Sequence, residues 1–346
     1  MNDNAENAEI EGASSSEVIA VLGAGSWGTA LAHLLCEKGC RVRLWARDVA
    51  FVERLKNEQE NARYLPGASL RGTEISHSLP DVLRDANWVV SAVPCSALPQ
   101  IARESSTRLG ANTIVVSGTK GLHPESSLRA SQTWERDGGL KASRFVALSG
   151  PNLSREVVSG IPSSTVVASE NEGAADAAQK LFSTASFRVY TNADLLGVEL
   201  GGALKNVVAI AAGIGDGLGF GDNAKAALMT RAWREMTRLA VALGARESTL
   251  FGLSGMGDLI ATCAGNKSRN HALGFHLAQG ESLGQAQHEI AQVAEGVHTC
   301  RAALRLAAEN GVELPVTEQI AAVLFENRSP RAAVEELMRR EGCREV

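Results

Sequence analysis

The chain has 346 residues, enough for about two domains at roughly 150 residues each. Hydrophobic residues make up 45% and charged residues 21%, the balance of an ordinary soluble chain, which excludes collagen-like, disordered and small disulfide-stapled classes. A net charge of −5 and only 4% aromatics argue against nucleic acid as a partner, whether by phosphate neutralisation or by base stacking.

The chain opens on an acidic stretch, with Asp3, Glu6, Glu9 and Glu11 and neither Lys nor Arg, so residues 1–16 read as a disordered tail. This stretch lacks the basic start of a secretion signal and the arginines of a transit peptide. The cysteines (Cys36, Cys40, Cys95, Cys263, Cys300, Cys343) form no CxxC pair and fit a reducing cytosol. The histidines form no HxH or HxxxH pair, so no metal is expected. No run of eighteen apolar residues stands out; the nearest, 203–214, contains Lys205, and no membrane span is expected.

From residue 17 onward, short apolar runs alternate with helical segments. The runs lie at 18–22, 41–45, 88–93, 113–117 and 145–149, and two more at 164–168 and 187–190 extend the series. Such runs separated by helices predict a parallel sheet covered on both faces. Trp27, Ala30, Leu31, Leu34 and Leu35 fall on one helical stripe, and Gly39 is placed to end that helix. Residues 17–193 therefore read as a doubly wound α/β, or Rossmann, domain. After residue 194 the strand rhythm stops. Segments 195–214, 223–243, 268–279, 284–292, 295–310 and 317–327 read as helices, with Asp222 and Thr317 as start signals and Gly311 as a stop. Residues 194–340 form an all-helical domain in this reading, and the cleft between the halves is the natural place for a substrate.

The first run enters GAGSWG at 23–28, and a helix follows. In that context a GxGxxG points to a dinucleotide. Gly23 allows the tight turn, Gly25 admits the pyrophosphate and Gly28 lets helix and strand pack closely. The helix N-terminus supplies free N–H groups to the pyrophosphate. At the end of the second run, Arg47 precedes Asp48. An arginine there accommodates the 2′-phosphate of NADP and an acid holds the ribose hydroxyl of NAD, so the order favours NADP with NAD as the alternative.

Ligands of open α/β sheets bind beyond the carboxyl ends of the strands. There the chain places Lys120 between glycines, and Asn152 after Gly150 and Pro151. Downstream, Lys205 and Asn206 interrupt an apolar helix. A desolvated lysine has a lowered pKa, which suits proton transfer near neutrality. Asp258 follows the glycine-rich stretch 252–257 and either tunes Lys205 or caps the helix that opens beside it. Ser268, Arg269 and Asn270 put a hydroxyl, a guanidinium and an amide at a helix start, the makings of a phosphate site. The residues alone thus point to a nicotinamide enzyme with a small phosphate-bearing substrate.

With these motifs laid out, the sequence resembles the NAD(P)-dependent glycerol-3-phosphate dehydrogenases of the soluble bacterial type. The resemblance runs through GAGSWGTALA at 23–32, YLPG at 64–67, GTKGL at 118–122, SGPN at 149–152, LKNVVAIAAGIGDGLGFGDNAKAAL at 204–228, GLSGMGDLIATC at 252–263, SRN at 268–270 and AEGVHT at 294–299. It implies reduction of dihydroxyacetone phosphate to sn-glycerol 3-phosphate for phospholipid synthesis. It also implies that Lys205 is the general acid/base, assisted by Lys120 and Asp258. Ser268, Arg269 and Asn270 resemble the substrate-phosphate contacts, with Lys120, Gly150, Asn152, Lys205 and Asp258 completing the substrate set. Ser26, Trp27, Arg47, Tyr64, Lys120, Ser154, Arg269, Val293 and Glu295 resemble cofactor contacts, and a homodimer is the assembly suggested. In two places the pattern differs: Asn152-Leu153-Ser154 stands where bacterial members more often carry Ser-Phe-Ala, and His271 stands where a basic residue is common. Two rival readings are a β-hydroxyacid dehydrogenase, which shares the two-part fold and a helix-borne lysine, and a module that senses NAD(P)H without catalysis.

Overall fold

The computed structural model describes residues 17–264, 268–290 and 293–339; the predicted tail at 1–16 lies outside them, as does Cys343. Eight strands form one sheet: β1 (Val18–Leu22), β2 (Arg41–Trp45), β3 (Glu74–Ser76), β4 (Trp88–Ser91), β5 (Ile114–Ser117), β6 (Phe145–Ser149), β7 (Ser163–Ala168) and β8 (Phe187–Asn192). Their order is β3-β2-β1-β4-β5-β6-β7-β8. Chain order therefore reverses between β1 and β4, which makes the crevice at their carboxyl ends the ligand position of a doubly wound sheet.

Alternation along the strands builds a core on each face. Ile19 and Val21 of β1 join Trp88 and Val90 of β4 on one side, while Val18, Ala20 and Leu22 join Val89 on the other. Strands buried on both faces read as unbroken apolar runs, which is why they were visible in the sequence.

Three expectations are corrected. The sheet is mixed: β7 pairs antiparallel with β6, and β8 runs parallel to β7. β3 was not anticipated, since three residues on an edge carry too little periodicity to register. Two predicted start signals play other parts. The helix Asp222–Ala242 has Gly221 at its N-cap, and the helix Pro315–Phe325 begins two residues before Thr317. Thr317 instead donates its N–H and hydroxyl to the buried Glu235 carboxylate.

Beyond β8 the chain is helical. The helix Leu195–Gly217 is its axis, buried along almost its whole length. It starts with Leu195 and Val198 in a sheet core and continues with Leu204, Val207, Val208 and Ile210 in the helical core. Burying each such aliphatic side chain contributes about 1.5–3 kcal/mol, which explains a helix apolar on every side. It is long and apolar enough to cross a membrane, with mean hydropathy 1.5, yet 89% of that stretch is buried inside the fold. Glycines let neighbouring helices approach this axis: a Cβ at Gly213 would lie 1.9 Å from the His271 carbonyl oxygen, and one at Gly274 would lie 2.0 Å from that of Ile210. The helix Arg269–Ala278 is thereby pressed against the axis, which sets the position of Arg269 and Asn270.

Candidate active site

The glycine turn leaves β1 at the strand-order reversal. Gly23 takes a φ of +106°, and a Cβ there would lie 3.0 Å from the Ala92 carbonyl oxygen at the end of β4. A Cβ at Gly28 would lie 1.8 Å from the Gly23 carbonyl oxygen, whereas one at Gly25 would meet nothing within 4 Å. The helix Ser26–Glu37 begins here with Gly25 at its N-cap and no side-chain cap, so its first N–H groups face open space. Ser26 donates its hydroxyl to the Tyr64 carbonyl at 2.7 Å, and the Tyr64 ring packs edge-on against Phe51 at 5.5 Å. The Trp27 indole lies against Gly118, where a Cβ would come within 2.5 Å of Nε1. That Nε1–H is buried and has no acceptor among the described residues. Arg47 is exposed and has no ion-pair partner among them, while Asp48 accepts the Phe51 N–H at 2.6 Å as the cap of the next helix.

The Trp27–Gly118 contact leads to the chemical groups. Two residues beyond Gly118, Lys120 donates to the Gly150 carbonyl and to Oδ2 of Asp258, each at 2.8 Å. Lys205 donates to Oδ1 of the same carboxylate at 2.8 Å and to the Thr262 hydroxyl at 2.5 Å. One carboxylate thus holds a lysine from each half of the chain. Its position follows from local geometry. A π-helical turn, Leu253–Gly257, precedes the helix Asp258–Cys263, and a Cβ at Gly201 would lie 3.1 Å from the Ser254 carbonyl oxygen. The glycine contact seats that turn directly on the Lys205 helix. Asp258 is the first residue of its helix and caps nothing; its carboxylate is spent on the lysines.

Burial lowers the pKa of Lys205; Asp258 opposes this and Lys120 adds to it. Burial pushes the Asp258 carboxyl up, but Lys120 and Lys205 outweigh that and hold it below the ordinary range. The ammonium of Lys205 has three N–H donors, and Asp258 and Thr262 occupy two. The third is available to a carbonyl oxygen.

Asn206 extends the network. It donates to the Lys120 carbonyl at 3.3 Å and accepts from the Asn270 amide at 2.9 Å, while Asn270 accepts the Gly296 N–H at 2.9 Å. Ser268 caps the helix Arg269–Ala278 by accepting the His271 N–H. Arg269 keeps solvent exposure, yet its surroundings lower its pKa by burial against the pull of Glu295, and it makes no hydrogen bond or ion pair with a described residue. Glu295 accepts the Cys95 N–H on Oε1 at 3.1 Å, and its Oε2 is buried with no donor among the described residues. Burial pushes the Glu295 carboxyl up, against the pull of Cys95 and Arg269. Val293 is exposed and Ser154 opens a short helix, Ser154–Val158.

Two expected substrate contacts also bond within the protein. Asn152 donates to the Ser164 carbonyl at 3.1 Å and accepts from the Thr165 hydroxyl at 2.9 Å, pinning β7. Asn270 is committed to Asn206 and Gly296 as described. His271 is also turned inward, its Nε2 2.7 Å from Asp216, which Lys225 reaches at 2.7 Å. Thr262 and Asn206 were not assigned roles from the sequence. Thr262 lies four residues after Asp258 on one helix, a spacing that places the two side chains together.

Comparison with known proteins identifies the family. The family models described as NAD-dependent glycerol-3-phosphate dehydrogenase N-terminus and C-terminus match residues 18–175 and 194–335. A glycerol-3-phosphate dehydrogenase of Pelotomaculum thermopropionicum is 48% identical, over 93% of this chain and 93% of its own. That of Nitratidesulfovibrio vulgaris is 46% identical, over 93% of this chain and 98% of its own. The crystal structure of glycerol-3-phosphate dehydrogenase from Coxiella burnetii superposes with a TM-score of 0.90 at 37% identity, covering 94% of this chain and 100% of the other. With both halves matched and such relatives spanning nearly its whole length, the chain belongs to the NAD-dependent glycerol-3-phosphate dehydrogenase family.

Proposed function

We propose that this chain is an NAD(P)-dependent oxidoreductase that reduces dihydroxyacetone phosphate to sn-glycerol 3-phosphate, supplying phospholipid synthesis. The observation that carries the reading is the pair Lys120 and Lys205 on the single carboxylate of Asp258, at the carboxyl edge of the sheet.

The glycine turn fits a dinucleotide: the space over Gly25, the uncapped N–H groups beside it and the unpaired Trp27 indole form a cradle for it. Gly23, Gly25, Ser26, Trp27 and Gly28 would hold the pyrophosphate side, Arg47 and Tyr64 the adenosine side, and Lys120, Ser154, Arg269, Val293 and Glu295 the rest. When bound, NAD(P)H supplies the hydride. Arg47 has no ion-pair partner among the described residues while Asp48 is engaged in capping, which supports NADP as the preferred form.

Lys205 gives its third N–H to the substrate carbonyl oxygen and passes that proton to it as negative charge develops, acting as the general acid. Asp258 and Thr262 keep the ammonium in place, and Lys120 adds a second positive charge beside the oxygen. Arg269, with its unspent guanidinium, and the N–H groups of the helix start behind Ser268 take the phosphate. Asn270 joins them at the phosphate, and Gly150 and Asn152 complete the substrate contacts, held in place by their bonds within the protein. Holding the phosphate fixes the carbonyl carbon, and such positioning removes several kcal/mol of barrier.

We place the unit boundary between residues 193 and 194, where β8 gives way to the helix at Leu195, with the sheet unit at 17–193 and the helical unit at 194–340. A cytosolic location is supported by the free thiols of Cys95, Cys263 and Cys300, all buried. The family likeness also supports a homodimer, which sedimentation velocity would test.

The decisive assay follows NADPH and NADH absorbance with dihydroxyacetone phosphate for the wild type and Lys205→Ala. Turnover by the wild type and a loss of about 10²–10⁴-fold in the variant, with cofactor binding retained, is expected. Near-normal turnover by the variant would remove Lys205 from the mechanism. Turnover of a hydroxyacid in place of the triose phosphate would favour the rival dehydrogenase reading, and tight cofactor binding without any turnover would favour the sensing module.

A further inference from the structure

The helix that carries Lys205 meets the rest of the molecule along two stripes. Glu199, Gly202 and Asn206, spaced i, i+3 and i+7, face the sheet half. The Glu199 carboxylate accepts the Ser131 N–H at 2.8 Å and the Ser131 hydroxyl at 2.6 Å, and pairs closely with Arg129. A Cβ at Gly202 would lie 2.4 Å from the Ser149 hydroxyl and 3.6 Å from Cγ of Lys120, and Asn206 donates to the Lys120 carbonyl. The second stripe, Gly201 and Lys205 at i and i+4, faces the π turn and Asp258. The angle between the stripes is fixed by the 3.6-residue period, so whatever sets the helix's rotation on the sheet half also aims Lys205.

We infer that Glu199 is a positioning residue, whose clamp on Arg129 and Ser131 sets the rotation that lets Lys205 and Lys120 meet on one carboxylate. The clamp is suited to that task. Glu199 is only 6% exposed in its side chain, and its partners are at the N-terminus of the helix Ala130–Gly138, where a negative charge is favoured. Its charge is answered by Arg129, and its carboxylate holds three donors at once. A small cavity lined by Ser117, Thr119, Lys120, Ser149, Val198 and Glu199 separates it from Lys120. Breaking the pair leaves a half-buried Arg129 without its anion while the apolar core around the helix is untouched.

This inference rests on Lys205 and Lys120 acting on the substrate, so the test begins by confirming wild-type turnover of dihydroxyacetone phosphate. Failure there sinks the functional reading itself, and the outcomes that follow concern the clamp alone. Glu199→Gln keeps size and an acceptor for Ser131 but loses the charge. Its kcat is expected to fall about ten- to a hundredfold, with KM for NADPH within about twofold of wild type. The alkaline limb of its kcat–pH profile should move, because the contact of Lys205 with Asp258 is altered. Arg129→Gln should reproduce both changes, and the double variant should lose no more than either single one. An unmoved alkaline limb with unchanged kcat in folded Glu199→Gln overturns the inference, as do losses that simply multiply in the double variant. If Glu199→Gln does not fold, Ser131→Ala removes one donor and keeps the ion pair. A severalfold loss of kcat with the same displacement of the limb then supports the clamp, and wild-type values on both measures overturn it.

Discussion

Lys205 and Asp258 are 2.8 Å apart in the protein interior, and the same carboxylate is 2.8 Å from Lys120 on its other oxygen. Two cations on one anion leave a net positive charge in a buried site. Such a charge is costly in the ground state and is relieved when a carbonyl oxygen beside it gains electron density. The arrangement is therefore directed at the moment of hydride transfer rather than at the resting enzyme.

Asp258 should control the pH range of turnover. Burial lowers the pKa of Lys205, and the Asp258 charge is what raises it back most strongly. In Asp258→Asn that support is gone, so the ammonium loses its proton at lower pH than in the wild type. Reduction needs the protonated lysine; the alkaline limb of its kcat–pH profile should move to lower pH, and kcat near neutrality should drop by about 10²-fold. A variant whose limb coincides with the wild type would show that Asp258 does not tune Lys205.

Arg47 should set the choice of cofactor. It is exposed and without an ion-pair partner among the described residues, at the end of β2. A charge-assisted contact to a 2′-phosphate at an exposed position belongs at the weak end of its range, about 1.4 kcal/mol or tenfold. Arg47→Ala should raise KM for NADPH by about that factor, leave KM for NADH unchanged, and show a smaller difference in high salt. An unchanged ratio of the two KM values would defeat the assignment of Arg47 to the 2′-phosphate.

The readable features were those governed by short-range rules. The turn at 23–28 was visible because φ of +106° at Gly23 and the 1.8 Å approach at Gly28 tolerate no other residue there. The strand β7 was visible as a run of apolar residues, but its direction was not, because nothing in the run records which end meets β6. Lys120 and Asp258 were each conspicuous, yet 138 residues separate them, and only the fold brings them into contact. The protein-internal bonds of Asn152 and Asn270 were not legible, because an amide in a motif can donate and accept equally well to a substrate or to a neighbouring element. Their partners, the Ser164 carbonyl and Asn206, are tertiary facts.

Glu235 should make the helical half less stable as the pH rises toward neutrality. Its carboxylate, 4% exposed, accepts the Val316 N–H at 2.8 Å and the Thr317 N–H at 3.3 Å, acting as a cap donated by another helix to Pro315–Phe325. Burial pushes its pKa up from 4.5 to about 7, even though those N–H groups pull it down. The folded chain therefore holds this proton more tightly than the unfolded chain does. The contribution to stability is complete below about pH 4.5 and is lost as the pH rises through about 7, a change on the order of 3 kcal/mol. Glu235→Gln cannot titrate, so the fall in its melting temperature between about pH 5 and pH 8 should be smaller than that of the wild type by several degrees. The comparison is made within each protein across pH, which removes any constant cost of placing an amide at the helix start. If both proteins lose the same amount over that interval, Glu235 is ionised in the fold at pH 5, and the N–H groups of Val316 and Thr317 outweigh its burial.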